Sequence, residues 1–146
     1  MSYEQLKLEK QLCFPLYACA KEVVKKYKPF LDEIGLTYTQ YITMMVLWEQ
    51  EKMNVKTLGQ YLYLDSGTLT PLLKKLESQE LIKRERLLED ERNVIVSLTA
   101  KGYALKEQAS LVPEKIGKCI QISNEDATQL YTLLYKILDS IHADFE

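Results

Sequence analysis

The sequence predicts a mainly α-helical chain with one small β-hairpin, an α+β fold that rests on three observations. Apolar residues recur at spacings of three, four and seven through both ends of the chain, the mark of amphipathic helices. In the middle, two short apolar stripes are separated by Leu64-Asp65-Ser66-Gly67, which reads as a helix, a tight turn and a helix. The period then changes to alternation at Val94, Val96 and Leu98, and helical spacing returns beyond Thr99. A hairpin following directly on a helix-turn-helix is a wing. About residues 37–99 therefore read as a winged helix-turn-helix, an arrangement that chiefly reads duplex DNA.

Each element has its own signal. Residues 3–30 place Leu6, Leu12, Leu16, Ala20, Val23, Val24 and Tyr27 in one helical pattern. Pro15 disturbs it, because proline lacks an amide hydrogen and collides with the preceding turn; a kink or a true helix start is expected near Cys13 and Phe14. Gly35 ends the stretch that follows, and Thr37 can cap a helix built on Tyr41, Met44, Met45, Leu47 and Trp48. Val55, Leu58 and Leu62 line a two-turn helix, and Leu69, Leu72, Leu73 and Leu76 line the next. The hairpin uses Leu81-Ile82 and Val94, Val96 and Leu98, with Glu89-Asp90-Glu91-Arg92-Asn93 as a charged loop. The next helical pattern stalls at Val112-Pro113 and restarts at Ser123, where Asp126 makes a variant capping box. The last helix presents Leu130, Leu133, Leu134, Ile137, Leu138 and Ile141, a broad apolar face.

At 146 residues and 17.0 kDa, with 47% hydrophobic and 27% charged residues, one soluble domain over residues 1–146 is expected. A chain of this size buries about 68–70% of its unfolded surface and needs no disulfide staples. Disorder, collagen and secreted mini-scaffolds are excluded. The three cysteines, Cys13, Cys19 and Cys119, fit neither a disulfide framework nor a metal-ligand pattern, so no metal or cofactor is expected. Reduced thiols, no signal-like segment and no run of ~18 apolar residues point to the cytoplasm and away from a membrane. Nineteen Lys and Arg against twenty-one Asp and Glu give a net charge of −2, which by itself offers no hint of a polyanionic partner.

Placement of the charges says more than their sum. On a helical wheel of about 100° per residue, the four leucines of the second helix group together. Thr68, Thr70, Pro71, Lys74 and Lys75 fall on the opposite side. Hydroxyls and ammonium groups are the donors that phosphates and base edges require. Asp65 or Ser66 can cap this helix and leave further amides aimed at phosphate. Pro71 fits badly beyond a first turn, which leaves a start as late as Thr68 open. In the hairpin, Lys83, Arg84 and Arg86 flank the loop, and Arg92 follows three acids at its tip. An Arg there can enter a minor groove; alternatively it pairs with Asp90 or Glu89 at the surface, for about 0–1 kcal/mol. Residues 74–92 hold six basic and six acidic side chains, so a contact requires Lys74, Lys75, Arg84, Arg86 and Arg92 to face the duplex while Glu77 and Glu80 lie elsewhere. Modest non-specific affinity with a salt-dependent contact follows.

The run from Leu58-Gly59-Gln60 through Leu64-Asp65-Ser66-Gly67-Thr68-Leu69-Thr70-Pro71 to Lys74-Lys75-Leu76-Glu77, with Asp90-Glu91-Arg92 after it, closely resembles the MarR family of bacterial transcription regulators. Gln11-Leu12-Cys13-Phe14, Tyr27-Lys28-Pro29 and Leu36-Thr37-Tyr38-Thr39-Gln40-Tyr41 resemble its organic-hydroperoxide-sensing branch, the OhrR type, and the staphylococcal redox relatives. Pro15 departs from that pattern. The resemblance implies a homodimer held by helices at about residues 1–35 and 100–146, two winged modules on a pseudo-palindromic double-stranded operator, and no catalytic turnover. A protein dyad implies half-sites about one helical turn apart, ~34–36 Å. Ser66, Thr68, Thr70, Lys74, Lys75, Arg84, Arg86 and Arg92 become the DNA-binding residues, with Asp90 as a wing salt-bridge partner.

The same resemblance assigns the thiols. On residues alone Cys13 reads as a small buried hydrophobe; it matches the family's peroxide-sensing thiol, which needs a favoured thiolate and access. Tyr27 and Tyr38 match tyrosines that hydrogen-bond the sensing sulfur across the dimer, and Tyr17 lies one turn beyond Cys13. Cys119, read as lying between the last two helices, matches by region a resolving cysteine, implying an intermolecular Cys13–Cys119 disulfide. The alternative is a free Cys119 with Cys13 capped by a low-molecular-weight thiol. Cys19 is rotated to another helix face and receives no role. Two rival readings are a regulator controlled by a small aromatic ligand and a thiol peroxidase using Cys13 as nucleophile. A purely structural helical protein is a third, disfavoured by the hydroxyl and lysine face with its wing. His142 reads as a helix-end surface residue.

Overall fold

The computed structural model describes residues 2–88 and 90–143, with the side chains of all but 90–92. The chain divides into two compact units, one ending at Ile116 and one beginning at Gly117. The first holds α1 (Cys13–Asp32), α2 (Tyr38–Gln50), β1 (Lys52–Asn54), α3 (Val55–Leu62), α4 (Ser66–Ser78), β2 (Ile82–Leu87), β3 (Asp90–Leu98), α5 (Ala100–Ala109) and the start of α6 (Val112–Cys119). The second holds the end of α6 and α7 (Asn124–Ala143).

The expected helix over residues 3–30 is shorter than its apolar pattern. Glu4–Leu6 and Leu8–Lys10 are single 3-10 turns, and α1 begins at Cys13. Pro15 supplies the reason. In the first turn its missing amide hydrogen costs nothing, whereas an earlier start would drive its ring into a carbonyl of the preceding turn. Thr37 caps α2 as expected and forms a reciprocal capping box with Gln40: the Gln40 amide donates to Thr37 Oγ1 at 3.3 Å, and the Thr37 amide donates to Gln40 Oε1 at 2.9 Å.

The core of this unit joins α2 to the helix-turn-helix and the sheet. Met44, Leu47, Leu58, Leu69, Leu73, Leu76 and Val96 are all essentially inaccessible. The expected hairpin is present, but its sheet has a third strand, in the antiparallel order β1-β3-β2. Strand β1 pairs Lys52, Met53 and Asn54 with Ser97, Val96 and Ile95. Three residues are too few to show alternation, so the sequence carried no signal for it.

Two glycines permit close approaches. A Cβ on Gly59 would lie 2.9 Å from the Leu64 carbonyl oxygen, inside the turn that joins α3 to α4. A Cβ on Gly102 would lie 2.0 Å from the Leu81 carbonyl oxygen. Gly102 is also a hub: the buried Trp48 indole donates to its carbonyl at 2.9 Å, and its amide donates to the capping Thr99 Oγ1 at 3.0 Å. These bonds fasten α5 against α2 and the end of the sheet.

Val112-Pro113 opens α6 instead of merely interrupting a helix, since Pro113 falls in a first turn. In the second unit, Ser123 Oγ accepts the Asp126 amide at 3.1 Å, the expected cap of α7. No residue of α7 is buried. No helix among the described residues is long and apolar enough to cross a membrane.

Candidate nucleic-acid interface and thiol site

Helix α4 is fixed by its four leucines, of which Leu69, Leu73 and Leu76 are at most 1% exposed and Leu72 9%. That burial turns Ser66, Thr68, Thr70, Pro71, Lys74 and Lys75 to the exposed side. The cap is Asp65: its Oδ1 accepts the Thr68 amide at 2.7 Å, which rules out Ser66 as cap and a start at Thr68. The Thr68 amide and hydroxyl, and then the Gly67 amide, hold the Asp65 carboxyl below its ordinary range. Pro71 lies inside α4 and offers no proton to the Gly67 carbonyl one turn back.

The wing pairs Ile82 with Leu98 through to Arg86 with Val94, then shifts register to Leu87 opposite Asp90. Residues 90–93, expected as a loop, thus belong to β3, and the register is irregular between the Arg86–Val94 and Leu87–Asp90 pairs. The Asp90 and Arg92 side chains, and all of Glu89, lie outside the described residues. Arg86 is exposed on β2. Lys83 pairs with Glu85 at 2.8 Å on the exposed surface.

Arg84 departs from its expected role. Its Nη2 donates to Glu77 Oε1 at 3.0 Å, and its backbone amide donates to Glu77 Oε2 at 3.2 Å. Glu77 does not lie elsewhere; it engages Arg84 and occupies that cation within the chain. The Arg84 guanidinium in turn holds the Glu77 carboxyl below the usual carboxylate range.

Cys13, Cys19 and Cys119 are all free and exposed, so Cys13 is not a buried hydrophobe in the single chain. Cys119 is the last residue of α6 and not part of a connector between helices. Tyr17 is 64% exposed one turn beyond Cys13, with Lys21 Nζ 5.9 Å from its ring centre. Tyr27 and Tyr38 meet edge to face at 4.9 Å between ring centres, and Tyr41 completes the cluster at 5.9 and 6.3 Å. Tyr41 belongs to the apolar stripe of α2 and to the Leu36–Tyr41 motif but carries no sensing role in the sequence; its spacing of three from Tyr38 is the signal that joins it to the cluster. Burial pushes all three phenols above their ordinary pKa, and neighbouring phenols add to the effect at Tyr27 and Tyr41, so they are O–H donors at neutral pH.

The structure does not bring these tyrosines to Cys13 within one chain. Tyr27 follows Cys13 on the same helix by fourteen residues, about 21 Å of axis. Between α2, α5 and the start of α6, Tyr41, Met45, Trp48, Lys106 and Pro113 line a separate cleft of about 350 Å³. Among the described residues no cluster of His, Cys, Asp or Glu could hold a metal ion.

A capped helix-turn-helix with an exposed hydroxyl and lysine face, followed by a three-stranded wing, defines the class: this is the winged helix DNA-binding fold. A family model described as Transcriptional regulator SarA/Rot matches residues 25–109. The chain is 50% identical over 140 residues to the Organic hydroperoxide resistance transcriptional regulator of Bacillus subtilis (strain 168), spanning 96% of this chain and 95% of that protein. Among solved structures it is similar to reduced AbfR bound to DNA, with 32% identity, a TM-score of 0.80 and full coverage of both chains (100% each). It is also similar to disulfide-formed AbfR, with 34% identity and a TM-score of 0.61 over 98% of this chain and 96% of that one. The chain belongs to the MarR family of transcriptional regulators, in the branch of the organic hydroperoxide resistance regulator.

Proposed function

We propose that this protein is a homodimeric, redox-sensing repressor that releases its operator when Cys13 is oxidised by an organic hydroperoxide. The observation that carries the reading is the position of Cys13: an exposed thiol on the first turn of α1, on a helix whose neighbouring apolar side chains are left uncovered. Free cysteine is ordinarily among the most buried residue types. Leu12 is 80% exposed, and Leu133 and Tyr131 of α7 are 55% and 65% exposed. Exposed apolar side chains of this kind, on each unit taken by itself, support an interaction role for both terminal segments. A second copy is the occupant that the family supplies, paired through the terminal helices at about residues 1–35 and 100–146.

Pairing also offers what one chain lacks. Across a dimer, Cys13 of one protomer can meet Tyr27 and Tyr38 of the other, whose protonated phenols would donate to a thiolate and favour it. Tyr17 is the donor available from its own helix. The thiolate sulfur attacks one peroxide oxygen, the O–O bond breaks, the alcohol leaves with the thiol's proton, and sulfenic acid forms. The Cys119 thiolate of the other protomer then displaces hydroxide, which leaves as water, giving the intermolecular Cys13–Cys119 disulfide. In the alternative, a low-molecular-weight thiol makes the same displacement.

Ser66, Thr68, Thr70, Lys74 and Lys75 engage the major groove and its phosphates, while Arg86 and Arg92 act from the wing, with Asp90 as the partner that orients Arg92. Arg84 contributes through Glu77 and not by direct contact. Oxidation acts by favouring a dimer whose reading helices no longer fit half-sites ~34–36 Å apart.

The test uses DNA from upstream of the protein's own gene in a gel shift with and without cumene hydroperoxide, alongside non-reducing gels. Release in the wild type, none in Cys13→Ser, and a covalent dimer lost in Cys119→Ser support the full reading. A covalent dimer that survives Cys119→Ser removes the two-cysteine step. A second reading rests on the cleft beside Trp48, which suits a small aromatic ligand; release by salicylate without peroxide would favour it. Sustained peroxide consumption with a dithiol would favour a thiol peroxidase instead.

A further inference from the structure

Helix α4 and the wing are joined by one carboxylate. Glu77 lies in the last turns of α4, and Arg84 lies on β2 opposite Val96, a fully buried residue of β3. The two oxygens of Glu77 are divided between two parts of the same residue, Oε2 on the Arg84 backbone amide and Oε1 on its guanidinium. One bond fixes the path of the strand and the other fixes the side chain above it. Beyond Arg84 the strand continues through Glu85, Arg86 and Leu87 toward the tip of the hairpin, where the register shifts. The clamp therefore sits near the root of a lever whose far end carries the wing's cations.

We infer that Glu77 is a positioning residue for DNA reading, setting the wing at the angle to α4 that lets both engage one half-site together. The inference rests on the proposed wing contact and deepens it. A half-exposed ion pair adds little to stability. The Glu77–Arg84 pair is of that kind, so its main effect is expected in geometry. Placing a carboxylate on a reading helix also opposes a polyanion; division of its charge over Arg84 offsets that repulsion and withholds Arg84 from the duplex.

The experiment compares wild type, Glu77→Ala and Glu77→Gln on the same operator by fluorescence anisotropy, hydroxyl-radical footprinting and thermal unfolding. In Glu77→Ala, affinity is expected to fall about tenfold, with protection lost under the wing and kept under α4. The unfolding midpoint should stay near wild type. Glu77→Gln keeps an acceptor for the Arg84 amide and should retain part of the wing protection with a smaller loss of affinity, which keeps the question answerable if the alanine variant folds poorly. Unchanged wing protection and affinity in both variants would overturn the inference. So would protection lost equally under α4 and the wing together with a large drop in midpoint, the result of a merely structural role. Absence of wing protection in the wild type would refute the underlying wing contact, and that is read before any variant is made.

Discussion

In the reading head, every leucine of the α4 stripe is covered by the same chain, from Leu76 at 0% exposure to Leu72 at 9%. Along α1 and α7, side chains of the same character stay open, with Phe14 at 43%, Tyr17 at 64% and Leu133 at 55%. The apolar spacing is equally regular in both regions. The difference lies in what each segment finds to pack against. Helix α4 is capped by Asp65, held to β2 by Glu77 and backed by α2 and α3 within one unit. The terminal helices each carry apolar side chains that stay exposed, and Cys13 is an exposed thiol on the first turn of α1. A DNA contact built within one protomer and a sensor completed between two would allow chemistry at the interface to change the spacing of two otherwise intact reading heads.

Substitutions can break this contrast, and the largest effect is expected from Leu76→Ala. Truncating a leucine inside a closed core should cost about 2–5 kcal/mol in denaturant unfolding, to the same extent at every protein concentration. Leu133→Ala, on the open face, should instead shift an unfolding midpoint that depends on protein concentration, as for a coupled dimer. Equal, concentration-independent losses would remove the distinction between the two regions. Next comes Gly102→Ala, where the new methyl would collide with the Leu81 carbonyl; overpacking of this kind costs roughly 1–3 kcal/mol, measured in the same titration. Lys75→Ala should weaken binding nearly uniformly across DNA sequences and lower the salt slope by about 1, as measured by anisotropy over a salt series.

The smallest effect concerns pH. The Asp65 carboxyl is held below its unfolded value by the Thr68 amide. Its contribution to folding is therefore present above the unfolded carboxylate pKa and fades as pH falls through the lower folded value. Asp65→Asn should flatten the acid limb of the stability profile, and the Asp65 carboxyl should titrate, by NMR, below an unperturbed aspartate. A midpoint at or above the ordinary value would contradict the cap.

Much of the reading head was legible because its signals are local: the leucine stripe, the Asp65 cap and the alternation at Val94 to Leu98 each need only neighbours in sequence. Strand β1 was not, because three residues have no period. Pro15 announced a disturbance, but that α1 would begin at Cys13 and leave Glu4–Leu6 and Leu8–Lys10 as single 3-10 turns depended on which of two allowed responses the packing chose. The Glu77–Arg84 clamp joins residues in different elements, so charge counting set them on opposite sides when they are in contact. At the thiol, helical spacing alone separates Cys13 from Tyr27 along one helix, and no reading of a single chain shows what would bring them together.

On the proposed function, oxidation of Cys13 is transmitted to DNA. Its most direct test is operator affinity of the wild type and of Cys13→Ser, measured by anisotropy before and after one equivalent of cumene hydroperoxide and again after a dithiol reductant. Loss of binding in the wild type, recovery on reduction, and no change in Cys13→Ser are expected. Wild-type affinity that is unmoved by the peroxide, or release that persists in Cys13→Ser, would contradict the proposed function.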